Sequence, residues 1–174
     1  MRRTKHLEIL GALAALLTSC SAPKTAAPEK PGTSLQLSYP VLLIGTDAPT
    51  LNVFETERQL TTTTKSSSLI YSVQQIVDSK GGLYAIKKAI PVGEVQGVWR
   101  DMGTSPYRVF LECKLLKRVD LEQTREMVLA TVRSPRSELS RPPERLSMAV
   151  GHIRSYRTLD ELIAGCRQTL DWTH

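Results

Sequence analysis

The chain has 174 residues, with 23 lysines and arginines against 17 aspartates and glutamates, a formal charge of +6. That length fits one domain with an appendage, and a charged fraction of 23% sits near the globular norm of about 25%, which excludes wholesale disorder. Ten glycines and ten prolines exclude collagen-like and proline-rich fibres, and three cysteines are too few for a disulfide-framework miniprotein or a four-cysteine zinc site.

The first element is an address. Arg2, Arg3 and Lys5 precede the apolar run Ile9 to Leu17, which ends in Thr18-Ser19-Cys20. The run is roughly half of the about 20 apolar residues that a membrane-spanning helix needs, so residues 1–19 read as a signal peptide. Leu17-Thr18-Ser19-Cys20 resembles the lipobox of bacterial lipoproteins. The resemblance covers residues 1–20 only. It implies cleavage before Cys20, a diacylglycerol on its sulfur and often a third acyl chain on its amine. Glu8 departs from the pattern, because an acid beside the apolar run weakens export. Each buried methylene contributes about 0.8 kcal/mol, so several chains hold a domain on a bilayer where one holds marginally. Ser21 stands where many inner-membrane lipoproteins of Gram-negative bacteria have Asp, which favours an outer-membrane protein facing the periplasm in such a host.

Residues 21–34 carry three prolines and no aliphatic side chain larger than Ala, and with Cys20 they read as a lipidated tether reaching about 3.1 Å per residue. The globular domain is then expected over 35–174. Alternation at Leu35, Leu37, Tyr39, Val41 and Leu43 predicts an extended segment with one apolar face, bent at Pro40. A strand is expected over 51–57, and a loose edge or loop over 59–68. A hairpin turns at Asp78-Ser-Lys-Gly-Gly82 between strands 68–77 and 83–90, with another short strand over 92–100. The strongest strand signal runs from Tyr107 to Val119, with Tyr107, Val109, Leu111, Cys113 and Leu115 on one face. A helix is expected from Asp120 to Val132, opened by Asp120 and Gln123. A loop over 134–143 and a strand over 147–156 precede a second helix, opened by the capping box Thr158/Glu161 and striped by Leu159, Leu162, Ile163, Cys166 and Leu170. The fold expected is α+β: a mostly antiparallel, strongly curved sheet with the C-terminal helix packed on one face.

Chemistry-bearing residues are sparse. Cys113 and Cys166 lie on apolar faces in an exported chain, which leaves open a disulfide between them or two buried thiols. His152 is the one histidine of the mature domain besides the terminal His174, so a metal site of several imidazoles within one chain is excluded. No G-x-S-x-G elbow presents a serine, and the Ser21/Lys24 pair falls in the tether. Glu55 and Glu57 would share a strand face, an arrangement commoner on a solvated surface than in an acid/base pair. No metal, no cofactor beyond the lipid on Cys20, and no enzymatic activity are expected.

Without residues 1–19 the chain keeps 20 basic and 16 acidic residues, and 133–157, with six arginines and two glutamates, carries a net +4 equal to that whole excess. Arg133, Arg136, Arg141 and Arg145 are therefore candidates for contact with an anionic surface, such as lipid headgroups, cell-wall polymer or an acidic protein. Nucleic acid is excluded for want of an aromatic platform and a suitable compartment. The function expected is a non-catalytic, lipid-anchored envelope protein that binds or positions another envelope component. The alternative is a binder of a small apolar ligand, held between sheet and helix.

Overall fold

Seven strands and four helices make up the residues that the computed structural model describes: 30–46, 50–64, 71–95, 106–134 and 142–171. In chain order they are β1 (Gly32–Thr33), β2 (Val41–Gly45), β3 (Leu51–Phe54), α1 (Glu57–Leu60), β4 (Thr62–Thr64), β5 (Gln74–Asp78), β6 (Gly82–Glu94), β7 (Pro106–Arg118), α2 (Leu121–Val132), α3 (Pro143–Ser155) and α4 (Leu159–Asp171). The strands form one mostly antiparallel sheet of order β1-β7-β6-β5-β2-β3, in which β4 also pairs with β7. Among the described residues, only the β1–β7 pairing is parallel.

Both faces of the sheet are covered, and β2 shows why. Its Leu42 and Ile44 point to one cluster and its Val41 and Leu43 to another. A strand buried on both faces reads as an unbroken apolar run, here Val41-Leu-Leu-Ile44. The first cluster joins Leu42, Ile44, Val77 and Leu83 to Val128, Leu129 and Val132 of α2, Ala149 and Ile153 of α3, and Leu162, Ile163 and Cys166 of α4. The second joins Val41, Leu43, Ile76, Ile86, Val109, Leu111 and Cys113 to Leu37, Leu60 and Tyr71. The expected apolar face of the segment from 35 to 43 exists, since Leu37, Tyr39, Val41 and Leu43 all meet in the second cluster. Regular pairing starts only at Val41.

Two helix starts match the sequence reading. The Gln123 N–H donates to Asp120 Oδ1 at 2.8 Å while the Asp120 N–H donates to Gln123 Oε1 at 3.3 Å. At α4, the Glu161 N–H donates to Thr158 Oγ1 at 3.2 Å and the Thr158 N–H to Glu161 Oε2 at 3.3 Å. Each box satisfies two donors that the first helical turn would otherwise leave without a partner.

Other elements differ from expectation. Residues 147–156 are not a strand but the greater part of α3. Leu146, Ala149, Val150 and Ile153 recur at three and four, and Pro143 occupies the first turn, where its missing N–H costs nothing. β6 does not end at Ile90 but continues to Glu94, opposing Pro91 to Val109 beside a register shift that absorbs the proline. β3 stops at Phe54 because Thr56 caps α1, accepting from the Gln59 N–H at 3.3 Å. The polar run after it yields β4, and β5 begins at Gln74 after a 3-10 turn at Tyr71–Val73. The end of the expected tether belongs to the sheet: Gly32 and Thr33 pair with Phe110 and Leu111. The expected signal peptide, Cys20 and most of the expected tether lie outside the described residues.

Candidate functional site

The turn from β5 to β6 organises a cleft on the face opposite the helices. Asp78, 3% exposed, spends its carboxylate on four donors. Oδ1 accepts from the N–H of Gly82 at 2.7 Å and of Lys80 at 3.1 Å, and Oδ2 accepts from the Tyr84 hydroxyl at 3.0 Å and the Ser38 N–H at 3.3 Å. Gly81 has φ +77, and a Cβ there would stand 2.3 Å from the Val119 carbonyl oxygen. That close approach lets the Val119 N–H reach the Gly81 carbonyl at 2.8 Å and ties the turn to the end of β7.

Three distant stretches of chain meet around this turn and enclose about 280 Å³. Gln36 to Ser38 form one wall, Tyr84 and Leu115 line the interior, and Lys80 and Arg118 add the cations. Arg118 Nη1 donates to the Lys80 backbone carbonyl at 3.3 Å, which holds the Arg118 side chain against the turn that carries Lys80. Burial raises the Tyr84 phenol above its ordinary pKa, and its hydrogen bond to Asp78 adds to the shift, so it remains a protonated donor. With its carboxylate saturated by internal donors, the cleft offers a ligand cationic and apolar groups. It is suited to holding an anion beside an apolar side chain.

The remaining sequence candidates disperse. Cys113 and Cys166 are both free thiols. They cannot pair because they belong to clusters on opposite faces of the sheet, Cys113 with Leu111 and Ile86, Cys166 with Leu162 and Ile163. Burial, with Glu112 adding to it, pushes the Cys113 thiol up to about 11, and burial pushes Cys166 up to about 12, so neither is a thiolate nucleophile at neutral pH. Glu55 and Glu57 do not share a strand face: Glu55 lies 3.7 Å from Arg167, while Glu57 opens α1 and accepts from the Thr33 N–H at 3.0 Å and its hydroxyl at 3.1 Å. His152 is exposed on α3 rather than set in a strand. Arg133, at the C-cap of α2, and Arg145, in the first turn of α3, are exposed, whereas Arg136 and Arg141 lie outside the described residues.

Charge bookkeeping by segment hid a second basic region. Residues 80–118 hold eight basic against three acidic residues, a net +5 that is cancelled only by acidic residues elsewhere in the chain. Lys80, Lys87, Lys88, Lys114, Lys117 and Arg118 of this region are exposed. Arg125 was equally hidden. Its side chain, 11% exposed, pairs with Glu122 and donates to the carbonyls of Ile153 at 3.3 Å and Tyr156 at 2.5 Å, capping the end of α3 with a cation.

Comparison with protein-family models, with curated proteins and with solved structures finds no match to this chain. Among the described residues, no group of three or more His, Cys, Asp and Glu side chains is placed to hold a metal, and no helix is long and apolar enough to cross a membrane.

Proposed function

We propose that the chain is a bacterial lipoprotein, anchored through Cys20, whose domain docks another envelope component without catalysing a reaction on it. The observation that carries the docking half is how the described reactive groups are used. Asp78 is committed to four internal donors and both thiols are buried, while the exposed β6–β7 surface is cationic, with Leu115 and Leu116 at 48% and 46% exposure. Isolated apolar residues on a surface need no explanation, but a pair flanked directly by Lys114, Lys117 and Arg118 points to a contact. The anchor half rests on Leu17-Thr18-Ser19-Cys20 after its short apolar run. In a Gram-negative host this reading places the domain on the outer membrane, facing the periplasm.

The sheet in this reading is curved. From Phe54 to Thr62 the chain passes from the β3 edge to β4, five strand spacings away along the sheet order. Flat, that distance is about 24 Å, whereas four helical and four extended steps reach only about 19 Å, which supports a bend that shortens the path between β3 and β4. α4 lies across the helical face, where Leu162 and Ile163 are 0% exposed among sheet side chains. A pocket for a small apolar ligand between α4 and the sheet would need space that those side chains fill, which favours docking over the alternative.

Two experiments test the two halves. Cys20→Ala should leave the chain out of the membrane fraction and at its unprocessed mass; unchanged partitioning and mass would end the anchor. Reversible crosslinking of intact envelopes, followed by purification of the wild-type chain, should recover one protein in near-stoichiometric amount. Recovery of a small apolar molecule instead would replace docking by ligand binding. The arginines serve orientation toward the bilayer in this reading, each contributing about 1 kcal/mol near an anionic surface. Replacing Arg133, Arg136, Arg141 and Arg145 with Ser should abolish preferential cosedimentation with anionic over neutral vesicles, and retained preference would remove that role.

A further inference from the structure

The longest strands of the sheet are not matched along their length. β7 is 13 residues long, and β6 covers its inner edge from Tyr107 to Arg118. Its outer edge is shared in short pieces: β4 takes Pro106 to Arg108, and β1 takes Phe110 and Leu111. The Ser34 N–H then donates to the Leu111 carbonyl at 2.9 Å. The Ser34 hydroxyl completes this row by accepting from the Cys113 N–H at 2.8 Å and donating to the Cys113 carbonyl at 3.2 Å. Beyond Cys113, no strand among the described residues pairs with this edge.

The register says which backbone groups are left. Cys113 faces outward, since its N–H and carbonyl are both taken by Ser34. Ile86–Cys113 and Tyr84–Leu115 are two residues apart with no irregularity between them, so Leu115 presents its N–H and carbonyl to the same open side. An open edge with unspent hydrogen-bonding groups is a template for another strand, and proteins commonly blunt such edges with lysines. Here the cations leave two leucines uncovered between them: Lys114 precedes Leu115 and Leu116, and Lys117 and Arg118 follow, all five residues exposed.

We propose that the β7 edge from Lys114 to Arg118 binds an extended, acidic segment of an envelope protein by strand addition. The inference deepens the docking reading of the domain and rests on it. Main-chain pairing at Leu115 supplies the attachment, and side chains of the added strand supply the choice of partner. Three cations in five residues select carboxylates on the incoming strand, while Leu115 and Leu116 receive its apolar residues. The cleft lies against the same edge, because Leu115 and Arg118 belong to both. A carboxylate of the added segment can enter between Arg118 and Lys80, where the only native carboxylate already has its four donors.

The probe is an octapeptide of alternating Glu and Val, labelled for fluorescence anisotropy and titrated with the full chain in detergent. Binding is expected that weakens with added salt, at least tenfold tighter than for a Lys/Val octapeptide. Methylating alternate backbone amides of the Glu/Val peptide blocks pairing without changing its charge and should weaken it at least tenfold. A triple variant, Lys114→Glu, Lys117→Glu and Arg118→Glu, should reverse the preference toward the Lys/Val peptide. Equal binding of the methylated and unmethylated peptides on wild-type protein would overturn strand addition, whether or not the triple variant folds. Undetectable peptide binding, with the triple variant still capturing the same envelope protein as wild type, would overturn the edge while leaving the docking reading intact. Failure of wild type to capture any envelope protein would remove both.

Discussion

The two faces of the sheet are sealed by different means. On the helical face, buried side chains of three helices share one apolar cluster with Leu42, Ile44 and Val77. On the other face there is no long helix among the described residues. Leu37 and Tyr39 come from irregular chain, Leu60 from a single helical turn, and Tyr71 from a 3-10 turn whose hydroxyl donates to the Leu60 carbonyl at 2.9 Å. Hydrogen bonds from side chain to backbone replace the helix ladder: Asp78 gathers Ser38, Lys80 and Gly82, and Ser34 closes the edge at Cys113. The comparison teaches a division of labour. One face is stabilised by apolar area under helices, and the other by an apolar cluster tied down with specific polar joints, beside a cleft and an edge that no strand among the described residues pairs beyond Cys113.

Truncation on the helical face should therefore cost most. Ile163→Ala removes a fully buried side chain from the centre of the first cluster and should lower stability by about 2–5 kcal/mol, read as a shift in urea midpoint. A shift no larger than that of Met148→Ala, at a residue 52% exposed, would detach α4 from the core. On the other face, Asp78→Asn should cost about 2–3 kcal/mol, because an amide cannot accept on both sides and leaves at least one buried donor unpaired. That variant should also accelerate amide exchange at Gly82 and Ser38 while leaving the helices protected. Uniform acceleration across the sheet would mean that the two faces are not separable in this way. The smallest effect belongs to the cap: Thr158→Ala should cost about 0.5–2 kcal/mol and should speed exchange at Glu161, with no change at the Asp78 turn.

The same division explains what the sequence made legible. Helices α2 and α4 could be read from their caps because a capping box is local, three residues wide and chemically distinctive. The antiparallel character of the sheet was readable in β7 and in the Asp78-to-Gly82 turn. α3 reads as a strand because its apolar stripe is thin and Met148-Ala-Val150 is a short unbroken apolar run, which periodicity alone does not assign to helix or strand. β1 and β4 are two and three residues long, so their pairing is decided by β7 rather than by their own propensity. Of the candidate site, only the turn itself could be foreseen. The cleft unites residues 36–38, 78–84 and 115–118, and no local pattern in any one of them announces the other two. The basic β6–β7 surface was concealed by summation, since a compensating acidic remainder made its charge vanish from the total.

The central claim is that the face away from the helices is where this domain meets its partner, and photocrosslinking tests it most directly. A benzophenone amino acid placed at Leu115, and in a second protein at Met148 on α3, samples two exposed apolar positions on different surfaces of the full chain. Irradiation in intact envelopes should give one discrete higher-mass adduct from position 115, suppressed by excess Glu/Val octapeptide, and none from position 148. The same adducts from both positions, or none from 115, would contradict the account.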